Sequence, residues 1–297
     1  MLVAGFPAGA FQTNCYVLAS GPGEACVVVD PGQEAVDPLE ELLAEHRLTP
    51  VAVLLTHGHF DHTFSVAPVC DGHDVPAFIH PDDRAMLADP LKGMSRDALA
   101  FFGGRLEMRE PREVRTLDDG AQLELAGLAL RVDHTPGHTP GSVVFGTATD
   151  EGVEVILAGD TLFAGSIGRT DLPGGDTELM MRSLRDKLLT RDDGTYVLPG
   201  HGPATTIGRE RASNPYLVGL TESIPDGPAR GRGLLPATPA TSALWRSPLR
   251  ERGRLRIRRL CRSQPRRASR STSLPSPPGS STSGTPCRPR PTGPATG

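Results

Sequence analysis

The stretch Thr56-His-Gly-His-Phe-Asp-His62 constrains this chain more than any other. It sets three histidines and an aspartate within six positions, directly after the apolar run Val51-Ala-Val-Leu-Leu55. A buried strand therefore ends where the polar cluster begins, and loop ends of buried strands are where sites are built. If the turn stays extended, His57 and His59 converge while Asp61 and His62 face elsewhere, so the two pairs can serve two different metals. Gly58 leaves room for backbone to come close to an ion. Histidine supplies only 9 of 297 residues, so such a cluster is rare by chance, and the reading as a merely solvated loop is set aside.

Three later stretches could complete a metal site. Thr135-Pro-Gly-His138-Thr-Pro-Gly141 places a histidine in a tight turn between strands. Leu157-Ala-Gly-Asp160 ends an apolar strand on an aspartate, and Leu198-Pro-Gly-His201-Gly-Pro203 ends another on a histidine. Each ligand-type residue is flanked by Gly or Pro, which fixes the backbone. His57, His59, His62, His138, His201, Asp61 and Asp160 suit two zinc-type ions about 3.5–4 Å apart, with room for a bridging water. Imidazole and carboxylate favour zinc, iron or manganese over a thiolate-bound metal. His46, His73 and His80 read as structural or solvated, and His134 as a residue standing behind the ligands.

Charge divides the chain. From Gly227 onward there are 15 Arg, no Lys and one acidic residue, Glu251. Of the chain's 31 basic and 35 acidic residues this leaves 16 and 34 for residues 1–226, a net of −18. So acidic a body argues against nucleic acid as substrate. The five cysteines form no CxxC pair, which suits a reducing cytoplasm. The N-terminus has no basic stretch before an apolar one, and no window approaches twenty apolar residues, so neither export nor a membrane span is expected.

Strands are expected at 11–19, 25–30, 51–55, 75–79, 113–117, 121–125, 128–132, 142–145, 153–158 and 195–198, from β-branched runs bounded by Gly, Pro and Asp turns. Helices are expected at 36–46, capped by Asp37 before Pro38, at 64–70 interrupted by Pro68, and at 81–87, 177–189 and 207–214. Residues 88–110 suit either a flap over a pocket or an ordinary surface connection. Two regions result: a domain over residues 1–222, and an Arg-, Pro- and Ser-rich segment over 227–297 expected to be disordered. A basic tail for nucleic acid or anionic surfaces and a segment translated out of frame are alternatives for the latter.

With Asn14-Cys-Tyr16, the cluster at 56–62, Pro136-Gly-His-Thr139, Gly159-Asp-Thr-Leu-Phe163, Gly165-Ser-Ile-Gly-Arg-Thr-Asp171 and Gly200-His-Gly202, the chain resembles the metallo-β-lactamase fold superfamily. Within it, the chain resembles the glyoxalase II (hydroxyacylglutathione hydrolase) group over about residues 1–220. The resemblance implies an α/β fold, an αββα sandwich with metals at one edge. It assigns His57, His59 and His138 to a first metal and Asp61, His62 and His201 to a second, with Asp160 bridging, while Arg169 and Asp171 support loop structure. Nothing after Tyr216 resembles the helical glutathione-binding domain of the full-length group, so the match is to its short, single-domain members.

The expected activity is hydrolysis of a small-molecule thioester, S-lactoylglutathione or similar, or an ester. The nucleophile is a metal-bridging hydroxide oriented by Asp61, with two divalent ions, zinc or else iron or manganese. A mononuclear iron persulfide dioxygenase is the main rival. A lactonase or β-lactamase-type hydrolase comes next, and a non-catalytic metal-binding module is a reading of a different class.

Overall fold

The computed structural model describes residues 1–94 and 108–220, and the backbone of one further strand at Ile257–Arg259. Expectations for the middle of the 88–110 segment and for most of the tail therefore lie outside the described residues.

Strands β1 (Leu2–Ala8), β2 (Thr13–Ala19), β3 (Ala25–Val29), β4 (Thr49–Leu54), β5 (Ala77–Ile79) and β6 (Val114–Thr116) form one mixed sheet. The two hairpins are antiparallel, and β3 to β6 run parallel through helical crossovers. The second sheet contains β7 (Gln122–Leu125), β8 (Leu128–His134), β9 (Val143–Ala148), β10 (Glu154–Gly159), β13 (Tyr196–Pro199) and β14 (Thr205–Thr206) in the order 14-13-10-9-8-7. A small hairpin, β11 (Leu162–Phe163) and β12 (Ser166–Ile167), follows β10.

The apolar pattern explains the layers. Leu128, Leu130 and Val132 alternate with exposed neighbours along β8, and they meet Leu18, Val27, Val29 and Leu54 of the first sheet in one core between the sheets. The opposite face of the first sheet packs under α1 (Val36–His46) and the helix Val66–His73 through Leu39, Leu42, Leu43, Val69 and Cys70. The opposite face of the second packs under Thr177–Ser183 and Ile207–Ser213 through Met180, Leu184, Leu188 and Ile207. Because β2, β3 and β10 are covered on both faces, they read as continuous apolar runs rather than alternating ones. The expected αββα sandwich is what forms.

Several local expectations are corrected. Helix α1 is flanked by Ala35 with no side-chain cap, and Asp37 lies inside its first turn, where it meets the helix dipole instead. Pro68 falls in the first turn of Val66–His73, where a missing N–H costs nothing, so it interrupts no helix. The helix from Thr177 is capped by Asp176, and Leu184–Leu188 widens into a π-turn with Leu189 N–H donating to Leu184 O. That extra residue per turn puts Leu184, Leu188 and Leu189 all in the core. Strand β1 and the β11–β12 hairpin were not expected, the first because Gly5 and Pro7 break its apolar pattern. Within the tail, Ile257–Arg259 pairs parallel with β1, an edge strand that composition did not suggest.

Candidate metal centre

Every candidate ligand lies just past the end of a strand, and the strands come from both sheets. His57 and His59 follow β4, and a one-turn helix, Phe60–Thr63, carries Asp61 and His62. The loop is therefore not extended throughout; the turn at Phe60 brings Asp61 and His62 toward His201, while the His62 ring stays 4.1 Å from that of His57. His138 lies between β8 and β9, Asp160 follows β10, and His201 follows β13. Gly159 and Gly200 permit the approach. Gly159 holds φ +47° with Thr56 where a side chain would stand, and a Cβ on Gly200 would lie 2.6 Å from His62.

The structure brings all seven residues together, in His57/His59/His138 and Asp61/His62/His201 groups joined by a third, His57/His62/Asp160. His59 Nδ1 lies 2.8 Å from His138 Nε2. His62 Nε2 is 3.3 Å from His201 Nε2 and 3.6 Å from Asp61 Oδ2. Asp160 stands between the groups, its Oδ2 3.6 Å from His138 Nε2 and 3.5 Å from His201 Nε2, its Oδ1 3.4 Å from His62 Nε2. Exposure rises across the site, from 1% at His57 to 29% for the His201 side chain, so it opens on the His201 side. Phe11, whose ring meets Phe60 edge-on and whose carbonyl contacts His201 Nδ1, stands at this opening with Phe163.

The outer hydrogen bonds aim the inner nitrogens. His57 Nδ1 contacts Thr56 Oγ1, whose hydroxyl donates to Asp30 Oδ2. His62 Nδ1 meets the same Asp30, and His138 Nδ1 donates to the Arg169 carbonyl at 2.7 Å. With these atoms engaged, the Nε2 lone pairs of His57, His62 and His138 face inward. Thr13 Oγ1 donates to Asp61 Oδ2. Asn14 and the Tyr16 hydroxyl hold the His201 loop through the carbonyls of Pro199 and Gly202. Arg169 itself turns outward onto Asp171, and it is the carbonyl rather than the guanidinium that serves the site.

Protonation differs across the centre. Burial, reinforced by neighbouring histidines, holds His57 well below the usual imidazole range and His59 down to about 3, so both are neutral donors. At His62 burial pulls downward, but Asp160 and Asp61 outweigh it and raise it. The same carboxylates, outweighing burial, push His201 up to about 9. His62 and His201 in turn outweigh burial at Asp61, which falls to about 2.

These residues suit divalent cations on one direct observation: His57 Nε2 and Asp160 Oδ1 are buried without a hydrogen-bond partner among the described residues. An unsatisfied buried polar atom costs about 1–3 kcal/mol, and a cation removes that cost.

A fourth group, His80, Asp82 and His134, has the right elements but the wrong geometry. The two rings stack face to face at 4.1 Å, 8° from parallel, so their in-plane lone pairs run side by side and cannot meet at one ion. His134 Nε2 is engaged by the Pro140 carbonyl, which fits its expected place behind the His138 turn. His73 pairs with Glu40 and His46 lies on α1, both away from the centre.

Sequence reasoning missed Asp30, Thr13, Thr56 and Asp83 as supporting residues. Asp30 carried a signal, since it ends an apolar strand before Pro-Gly much as Asp160 ends another. The threonines carried none, because a hydroxyl on a strand is commonplace.

A four-layer αββα fold with histidines and aspartates gathered at one edge of both sheets defines a scaffold of the metallohydrolase class. A profile of the Metallo-beta-lactamase superfamily matches residues 8–201, and the chain belongs to that superfamily. An uncharacterized protein of Mycobacterium leprae (strain TN) is 54% identical over 221 residues, covering 74% of this chain and all of that protein. The hydroxyacylglutathione hydrolase GloC of Haemophilus influenzae is 35% identical, with 71% of this chain and 95% of that protein covered. Among solved structures, the B3 metallo-beta-lactamase BLEG-1 is similar with a TM-score of 0.63 at 38% identity, covering 73% of this chain and 99% of that one. A di-iron-bound form of TTHA1623 is similar with a TM-score of 0.59 at 40% identity, covering 70% and 97%. The fold implies divalent metal ions.

Proposed function

We propose that this chain hydrolyses a small-molecule thioester, of the S-lactoylglutathione type or similar, at a centre of two divalent ions held by His57, His59, His138, Asp61, His62, His201 and the shared Asp160. The observation that carries the reading is the convergence of these seven side chains with the inward nitrogens aimed by bonds on their outer sides. Likeness to GloC supports the thioester over other acyl substrates.

When bound, such ions acidify a water and polarise a carbonyl oxygen. The chain's own residues do the rest. His57 and His59 stay neutral in their buried setting and so remain donors at physiological pH. Asp61 stays ionised and, fixed by Thr13, can accept a hydrogen bond from a water between the groups and orient it toward the acyl carbon. A thiolate departs with little need of an acid, because thiols titrate near about 8.5. Among the described residues no cysteine serves as nucleophile: Cys15, Cys26 and Cys70 are buried, and burial pushes Cys26 and Cys70 up to about 12.

The test combines metal analysis with an anaerobic assay. Close to two equivalents of metal and hydrolysis of S-lactoylglutathione or a simpler thioester are expected. One equivalent of iron, with oxygen consumed when glutathione persulfide is supplied, would replace this reading with the dioxygenase. Turnover of lactones or β-lactams alone would retain the centre and change the substrate.

A further inference from the structure

Asp83 is fully buried, and among the described residues no lysine or arginine pairs with it. Placing a carboxylate there is costly unless its oxygens are met. They are met by three donors: Oδ2 accepts from Gly58 N–H at 2.8 Å and from the Thr139 hydroxyl at 2.6 Å, and Oδ1 accepts from Gly141 N–H at 2.7 Å. Thr139 Oγ1 also lies 2.7 Å from Ser142 Oγ, which closes the turn on itself.

The donors' positions give the carboxylate its meaning. Gly58 separates His57 from His59, and Thr139 follows His138. Asp83 therefore touches both loops that carry the three-histidine group, one from each sheet, and contacts none of the histidines. Packing fixes it there: a Cβ on Gly58 would lie 2.8 Å from the Asp83 carbonyl, and one on Gly141 2.7 Å from the Asp83 carboxyl carbon. Asparagine could not replace it, because a side-chain amide has one acceptor oxygen and would turn its NH₂ against a donor. The other group has no such tie to Asp83; its supports are Asp30, Thr13 and the Phe11 carbonyl.

We infer that Asp83 is a positioning residue for one half of the centre, setting the spacing of His57 and His59 from His138 and so the affinity for the cation those three hold, with no part in holding the other. This rests on the metal-centre reading but not on any choice of substrate.

The experiment uses the full chain stripped of metal and titrated with Co(II) alone, against a chelator, to resolve two dissociation constants. Asp83→Asn is expected to weaken the three-histidine site by about 10–100-fold, the usual cost of losing a supporting residue, while the other constant stays within about threefold. Thr139→Val should act in the same direction more weakly, and Thr139→Ser, which keeps the hydroxyl, should restore wild-type binding. The threonine pair decides the matter if Asp83→Asn fails to fold. Equal weakening of both sites, or a fall in the metal-free thermal midpoint with both constants unchanged, overturns the proposal. A wild-type chain that takes up no Co(II) overturns the metal centre and this proposal with it, whereas Co(II) binding without thioester turnover strikes only the proposed function.

Discussion

The two halves of the centre solve the same problem by opposite means. The His57/His59/His138 half is buried and kept neutral by desolvation, and its geometry is tied by Asp83 and by the Arg169 carbonyl. The Asp61/His62/His201 half is more open, and carboxylates hold its histidines toward the protonated form. One half is prepared for a cation by excluding charge, the other by accumulating negative charge that protons otherwise neutralise. The difference should appear in how each half loads.

The largest expected effect comes from Asp160, the residue both halves share. Asp160→Ala should empty both sites and lower turnover by more than about a hundredfold, beyond the loss from a supporting residue. His73→Ala, far from the centre, should change neither metal content nor rate. Equal effects of the two, read by metal analysis and initial rates, would dissolve the comparison altogether.

Loading against pH should separate the halves. Below about 9, a cation entering at His201 must displace a proton, so affinity there should fall about tenfold per pH unit for each proton displaced. His57 and His59 are neutral well below that, so neither adds a pH dependence to loading of the other half above about pH 5. Calorimetric titration in buffers of different ionisation enthalpy should show the greater proton release for the binding event at His201. The linkage also applies to the metal-free fold. The raised His201 stabilises it fully below about 6.5, and that contribution is lost as pH rises through about 9; the lowered Asp61 stabilises it above about 3.8, and that is lost as pH falls through about 2. The lowered His57 and His59 work against the fold below about 6.5, where the unfolded chain takes up their protons, so metal-free thermal midpoints should be highest near about pH 6.5.

A smaller change should touch one half alone. Thr13→Val removes a single hydrogen bond to Asp61, worth about 0.5–1.5 kcal/mol, and should weaken the second site by about three- to tenfold while sparing the first. The smallest effect is expected from truncation after Asp226, which among the described residues removes only Ile257–Arg259 from the edge of β1. Both metal constants and the thermal midpoint should be essentially unchanged; loss of folded protein would give the segment a structural role.

Five of the ligand-type residues, His57, His59, His138, Asp160 and His201, were legible as candidates because each combines a rare chemistry with a strand end and a Gly neighbour, as at Leu198-Pro-Gly-His201, and Asp61 and His62 through their place in the same short cluster. The α1 helix was legible from Leu39, Leu42 and Leu43 on one face. What escaped was set by contacts distant in sequence. Asp83 reads as a surface residue in Pro81-Asp-Asp-Arg84 until the turn at 139–141 folds onto it. Strand β1 gains its order from pairing along its whole length with β2, which no local pattern in Leu2–Ala8 announces. The one-turn helix at Phe60–Thr63 was hidden because four residues are too few to show a period.

The placement of ligands along the chain also has a consequence for synthesis. The ribosome makes the three-histidine half first and completes it with His138, whereas the other half waits for Asp160 and finally for His201, close to the end of the folded domain. A nascent chain can therefore present a cation with a partial claw long before the shared aspartate exists. Only when β13 docks beside β10 does the second claw close. Full occupancy is thus a record that β13 has found its place.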